Sequence, residues 1–188
     1  FIFFILAVIM FIGLGRDKPN ELPSAMIGRY APDLTITPLS SLPFLDKTHL
    51  KSPNIKIVNF WASWCAPCRV EHPNIQQLSD LGFMVYGINY KDKAPQALKF
   101  LNSLGNPYER IGSDEGRTGL DWGLYGVPET FIIDNEGKVL LRHAGPITNK
   151  IMTNEILPVL TNQYNNEVNI FEENPGAIFC DVFFLRVF

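Results

Sequence analysis

Short apolar runs and stretches with helical spacing follow one another along the middle of the chain. Ile55 to Trp61 is apolar except for Lys56 and Asn59, the pattern of a strand buried on both faces. A helix is expected over residues 67–81, apolar at Val70, Ile75 and Leu78 and kinked at Pro73. Phe83 to Asn89 reads as a second buried strand. Pro95 to Leu104 is amphipathic through Ala97, Leu98, Leu101 and Leu104, with Pro95 suited to its first turn and Gly105 to its C-cap. After Tyr108–Ile111 comes a Gly-rich segment with a short helix near Leu120 to Leu124. Thr130–Asp134 and Lys138–His143 flank Asn135-Glu136-Gly137 as a hairpin, and Thr148 can cap a last helix ending near Leu160. Strand–helix–strand–helix followed by a hairpin and a helix is the order of an α/β sandwich around a mixed sheet.

The flanks read differently. Phe1 to Ile12 carries no polar residue and runs on through Gly15 to Arg16-Asp17-Lys18. This is shorter than the ~20 residues of a full span. With no initiator Met and no basic flank before it, the segment is expected to be the remainder of a signal anchor. A cleaved signal peptide is the alternative, disfavoured because no small-x-small cleavage site follows closely. Residues 16–30, with Pro19, Pro23 and Gly28, read as a linker. Leu34–Thr37 and Leu42–Leu45 are short extended pieces broken by prolines, expected to form an N-terminal β-hairpin added to the domain. Residues 162–188 abandon the pattern, polar at first and then strongly apolar with Cys180, and no role is assigned to them. The organisation is therefore an anchor over 1–15, a linker over 16–30, an α/β domain over 31–161 and an atypical tail.

Composition narrows the function. The 188 residues are 46% hydrophobic, enough for a core without staples. The net charge is −3 and the basic residues form no cluster, which argues against a nucleic-acid partner. Three cysteines are too few for a disulfide-built scaffold.

Two of those cysteines carry the chemistry. Trp64-Cys65-Ala66-Pro67-Cys68 leaves a strand and opens a helix. There, free backbone N–H groups and the positive end of the helix dipole favour a thiolate at Cys65. A thiolate attacks disulfides, so the motif reads as a thiol–disulfide exchanger. Four-thiolate zinc needs a second cysteine pair, and Cys180 stands alone. A copper carrier is a further alternative, against which the narrow spacing and Pro67 argue. A peroxidatic Thr-x-x-Cys is absent.

Phe60-Trp61-Ala62-Ser63-Trp64-Cys65-Ala66-Pro67-Cys68-Arg69, with Gly126-Val127-Pro128-Glu129-Thr130-Phe131 downstream, resembles membrane-anchored thioredoxin-like proteins. Glu71-His72-Pro73, Gly87-Ile88-Asn89-Tyr90-Lys91-Asp92, Leu104-Gly105-Asn106-Pro107-Tyr108 and the stretch Trp122 to Glu129 narrow the likeness to the thiol:disulfide interchange proteins of cytochrome c maturation, the DsbE/CcmG family. The resemblance covers about residues 1–160. It implies a thioredoxin-like fold and a reductant held in the bacterial inner membrane with its catalytic domain in the periplasm. A membrane donor of the DsbD or CcdA type would recharge it. Its implied target is the disulfide of an apocytochrome c Cys-x-x-Cys-His motif or of a haem-ligation thiol protein. No cofactor beyond the dithiol and no metal is implied. A general periplasmic reductase or isomerase would share every residue of the dithiol site.

In this reading Cys65 attacks and Cys68 resolves the mixed disulfide. Pro128 is the candidate cis-proline beside the dithiol, with Val127 presenting backbone groups to a substrate strand. Glu71 on the helix and Glu129 beside the proline loop are candidate proton acceptors for Cys68. Trp64, Pro67 and Tyr125 are candidate substrate contacts. Trp61 reads chiefly as core, His72 as a surface helix residue, and Asn89 and Asp92 as candidate groove residues by resemblance.

Overall fold

The computed structural model describes residues 3–5 and 26–163. Of these, 3–5 are helical, and no helix among the described residues is long and apolar enough to cross a membrane. The expected anchor, apart from those three residues, most of the expected linker, and nearly all of the tail lie outside the described residues.

Six strands among the described residues form one sheet in the order β1-β4-β3-β2-β5-β6. They are β1 (Thr37–Pro38), β2 (Lys56–Trp61), β3 (Met84–Tyr90), β4 (Arg110–Asp114), β5 (Glu129–Ile133) and β6 (Val139–Ala144). The pairs β2–β3 and β3–β4 are parallel, while β5 runs antiparallel to both β2 and β6. All six residues of β2 are buried, as its apolar run requires of a strand covered on both faces. The helices are α1 (Ala66–Asp80), α2 (Ala94–Leu104), the short α3 (Arg117–Asp121) and α4 (Asn149–Ile151), which continues through a π-helical turn, Met152–Ile156, and on over 157–163.

The core has two halves. One face of the sheet packs Ile57, Val85 and Ile132 against Ile75 and Leu78 of α1, Phe100 and Leu101 of α2, and Met152 and Ile156 beyond α4. The other packs Val58, Phe60, Tyr86, Phe131 and Ile133 against Leu45, Leu50 and Trp122. The dithiol belongs to the first half.

Several expectations are corrected. The two N-terminal pieces do not form a hairpin with each other. Thr37 and Pro38 pair antiparallel with Ser113 and Gly112, and Phe44 bridges Ile111 in parallel. A turn at Leu39–Leu42 reverses the chain, so both arms use the free edge of β4. Gly28 and Arg29, assigned to the linker, are bonded to both backbone groups of Val139, and Tyr30 bridges Lys138. The domain therefore begins earlier than residue 31, because the edge of β6 offers unpaired backbone groups. The short helix starts at Arg117 rather than near Leu120. Asp114, fully buried, accepts from the backbone N–H groups of Gly116, Thr118 and Gly119 and so fixes where that turn begins. Helix α1 runs on through Pro73 as one element. Thr148 caps α4 as expected, accepting from Ile151 N.

Candidate active site

Strand β2 ends at Trp61, and residues 62–64 lead into Cys65, the N-cap of α1. Cys65 and Cys68 form a disulfide with Cα atoms 5.3 Å apart. Cys68 N donates to Cys65 Sγ at 3.1 Å. Pro67, exposed in the first turn, lacks the N–H that would have no partner there. No acidic residue occupies that first turn, so nothing in it offsets the dipole that favours a Cys65 thiolate. Both cysteines are buried, Cys65 at 4% and Cys68 at 2% exposure.

The loop before Cys65 is tied to the end of β3. Asp92 accepts from Ser63 N at 2.6 Å and from Ser63 Oγ at 2.8 Å. Asn89, buried, donates to the same carboxylate at 3.0 Å. Trp64 Nε1 donates to Lys91 O at 3.0 Å, leaving the indole 59% exposed. Asn89 and Asp92 thus hold the redox loop rather than line an open groove.

Across from this loop, the Val127–Pro128 bond is cis and Val127 O lies 3.4 Å from Cys65 Sγ. A reduced Cys65 can donate its S–H to that carbonyl. Tyr125 is exposed, its ring over the Arg142 guanidinium at 4.2 Å. The proline loop and the Trp64 loop therefore reach the dithiol from two sides.

The two candidate carboxylates part company. Glu71 lies one helical turn beyond Cys68 on the buried side of α1 and is 1% exposed. Its Oε1 accepts from Asn59 Nδ2 at 2.9 Å and its Oε2 from Ile147 N at 2.9 Å. Burial pushes its pKa up from 4.5 to about 7, against the pull of those two donors. Glu129 is on the other face. Strand alternation sets it with Phe131 and Ile133, in the half of the core away from the dithiol, while Thr130 and Ile132 face the helix α1 side. It pairs there with Arg142 Nε and accepts from Tyr125 N at 3.1 Å. The expectation that Glu129 takes the Cys68 proton is corrected accordingly. The carboxylate is committed to an ion pair that shapes the Tyr125 loop.

His72 is a second correction, being 3% exposed rather than a surface residue. Its Nε2–H donates to Gly105 O at 3.0 Å, and its ring packs edge-on against Phe100 at 5.0 Å. Burial, with the Arg69 charge nearby, lowers its pKa, so it holds α1 to the end of α2 as a neutral imidazole. Trp61 is core, as expected, stacked on Tyr108 at 5.5 Å.

Sequence reasoning missed Asn59, Tyr108 and Ser63 as parts of the site. Asn59 carried a usable signal, since it is an uncharged polar side chain inside an apolar run and must find partners when buried.

A Redoxin domain matches residues 28–159. The chain is 48% identical over 157 residues to the thiol:disulfide interchange protein HelX of Rhodobacter capsulatus, covering 80% of this chain and 89% of that one. The chain belongs to the DsbE family of thiol:disulfide interchange proteins. Another member, DsbE of Pseudomonas aeruginosa, is 42% identical over 160 residues, 84% of this chain and 88% of its own. A crystal structure assigned to DsbE from Chlorobium tepidum superposes with a TM-score of 0.58 at 32% identity, over 71% of this chain and 97% of that one. As a DsbE protein the chain has a thioredoxin-like α/β fold and is a thiol:disulfide oxidoreductase, and Cys65 and Cys68 form a disulfide at the N-terminus of α1.

Proposed function

We propose that this oxidoreductase works in the reducing direction for cytochrome c maturation. It would be held at the bacterial inner membrane with the described domain in the periplasm. Its substrate is the disulfide of an apocytochrome c Cys-x-x-Cys-His motif or of a haem-ligation thiol protein. A membrane donor of the DsbD or CcdA type returns Cys65–Cys68 to the dithiol. Support comes from the likeness to HelX and DsbE and from the Gly-Val-Pro-Glu-Thr and Gly-Ile-Asn-Tyr-Lys-Asp blocks. The observation that carries the chemistry is the Cys65–Cys68 pair at the N-terminus of α1 with Glu71 buried one turn behind it.

The Cys65 thiolate attacks one sulfur of the target disulfide, and the other target sulfur leaves as a thiolate. Cys68 then loses its proton to the Glu71 carboxylate and attacks Cys65 Sγ. The second target sulfur leaves, and the Cys65–Cys68 disulfide forms. Two electrons have passed to the target, whose two sulfurs leave as thiolates and take their protons from water. The Cys68 proton rests on Glu71 until water removes it. A carboxyl group buried one helical turn beyond Cys68, its pKa pushed up to about 7, suits this proton transfer. Trp64, Pro67 and Tyr125 supply the exposed contacts, and Val127 O the backbone acceptor beside Cys65.

Trapping tests the reading. In Cys68→Ser the mixed disulfide cannot resolve, so target proteins stay linked to Cys65. Apocytochromes or haem-ligation proteins in the trap support the proposal. A broad mixture of exported proteins points instead to a general periplasmic reductase or isomerase.

A further inference from the structure

Behind the dithiol runs a buried polar chain with a member that the exchange steps do not use. Tyr108, 5% exposed on the α2–β4 connection, donates its hydroxyl proton to Asn59 Oδ1 at 2.8 Å. Asn59 turns its amide nitrogen the other way, donating to Glu71 Oε1 at 2.9 Å and to Thr130 Oγ1 at 3.0 Å. An amide can sit in this pocket in two orientations. Rotated by half a turn, Asn59 would set its oxygen against the Glu71 carboxylate and its nitrogen against Tyr108. The Tyr108 hydroxyl proton, buried, would then lose its acceptor.

We propose that Tyr108 is a positioning residue for the exchange reaction: its hydroxyl locks the Asn59 amide in the orientation that presents N–H to Glu71. The inference rests on the reading of Glu71 as the proton acceptor for Cys68. Tyr108 suits the task because burial, and then the Glu71 charge, hold its pKa well above 10, so it stays a donor. The elements packed around Glu71 present Asn59 from β2, Thr130 from β5, Tyr108, and the Ile147 backbone from the β6–α4 connection. On α1 itself, Cys68 shares its face, while Arg69 and His72 turn to the Phe100 ring and Gly105 O. Tyr108 is thus the titratable group facing Glu71 in the oxidised protein, where Cys68 is held in the disulfide.

Removing the Tyr108 hydroxyl frees the amide to rotate. Its oxygen can then accept from a protonated Glu71, and the carboxylate loses one of its two donors. The pKa of Glu71 should rise above about 7, by about one unit, the order expected for losing one hydrogen bond to a charged group. A second variant moves the hydroxyl without deleting it. A Cβ at Gly87 would come within 2.7 Å of the Tyr108 ring, so Gly87→Ala forces that ring, or the β3 backbone behind it, to shift and disturbs the placement of the hydroxyl on Asn59.

The test is a pH titration of the oxidised full chain carrying ¹³C-carboxyl glutamate, read by NMR for wild type, Tyr108→Phe and Gly87→Ala. An upward move of the Glu71 transition in Tyr108→Phe, with the same direction in Gly87→Ala, supports the proposal. An unchanged Glu71 transition in a Tyr108→Phe protein that keeps its native amide spectrum overturns it. If Tyr108→Phe does not fold, Gly87→Ala decides by the same criterion. The pH profile of peptide-disulfide reduction separates the two ideas. Should Glu71 move while that profile stays put, the proton-acceptor reading of Glu71 falls and the hold of Tyr108 on the amide stands.

Discussion

Asp92 grips Ser63 with both carboxylate oxygens, one on the backbone N–H at 2.6 Å and one on the hydroxyl at 2.8 Å. The contact joins the end of β3 to the residue two before the attacking cysteine, across 29 positions of sequence. It sets where the Trp64–Cys65 segment stands. Asp92→Ala leaves two Ser63 donors and the Asn89 amide without their acceptor. The expected cost is about 1–3 kcal/mol, together with slower exchange, because Cys65 is no longer held for attack. Thermal unfolding and the rate of peptide-disulfide reduction check this together. Full activity in Asp92→Ala would contradict it.

Burial of Glu71 makes stability depend on pH in a definite direction. Its folded pKa of about 7 lies above the ordinary 4.5, so between those values the folded chain binds a proton that the unfolded chain has lost. Stability from this group is full below about 4.5, falls as pH rises toward 7, and is level above. The whole drop is about 3 kcal/mol. Denaturant unfolding of the oxidised protein from pH 4 to 8 should show it, and Glu71→Gln should remove most of the slope.

The Arg142–Glu129 pair is nearly fully buried, with side chains 6% and 1% exposed. Losing one partner leaves a buried charge behind, so Arg142→Met should destabilise by about 3–5 kcal/mol. Adding Glu129→Gln should recover part of that loss by removing the orphaned charge. Chemical denaturation of both variants measures the difference. A double variant no more stable than Arg142→Met would contradict the pairing as the source.

Trp64 predicts the opposite profile. The residue is 59% exposed, and under the proposed function it serves contact with a substrate rather than packing. Trp64→Ala should change stability by less than about 1 kcal/mol. It should raise KM for a peptide disulfide several-fold, with kcat far less affected. A loss of stability with an unchanged KM would assign the indole to packing instead.

The elements and the dithiol were legible in the residues because their signals are local. An apolar run long enough for a strand, followed by Cys-x-x-Cys and a helix, specifies β2, α1 and the N-cap position of Cys65 from neighbouring residues alone. The same holds for the β5–β6 hairpin, where Asn135-Glu136-Gly137 supplies the turn and Gly137 adopts a φ of 89°. Glu71 at i+3 from Cys68 also falls on a predictable helix face. Tertiary structure decided the rest. Whether Glu71 and Glu129 meet depends on which way β5 turns its alternate residues, and a shift of one position would exchange Glu129 with Thr130. The fate of the N-terminal pieces depended on β4 offering an edge, which no local pattern reports. His72 reads as a surface residue by its polarity, yet α2 ends against it and covers it. Tyr108 and Asn59 are 49 positions apart and meet because parallel pairing of β2 with β3 and β3 with β4 brings the chain back beside α1. Local propensity works through neighbours in sequence, whereas burial, charge pairing and the polar chain behind the dithiol come from surfaces that meet only once the sheet has formed.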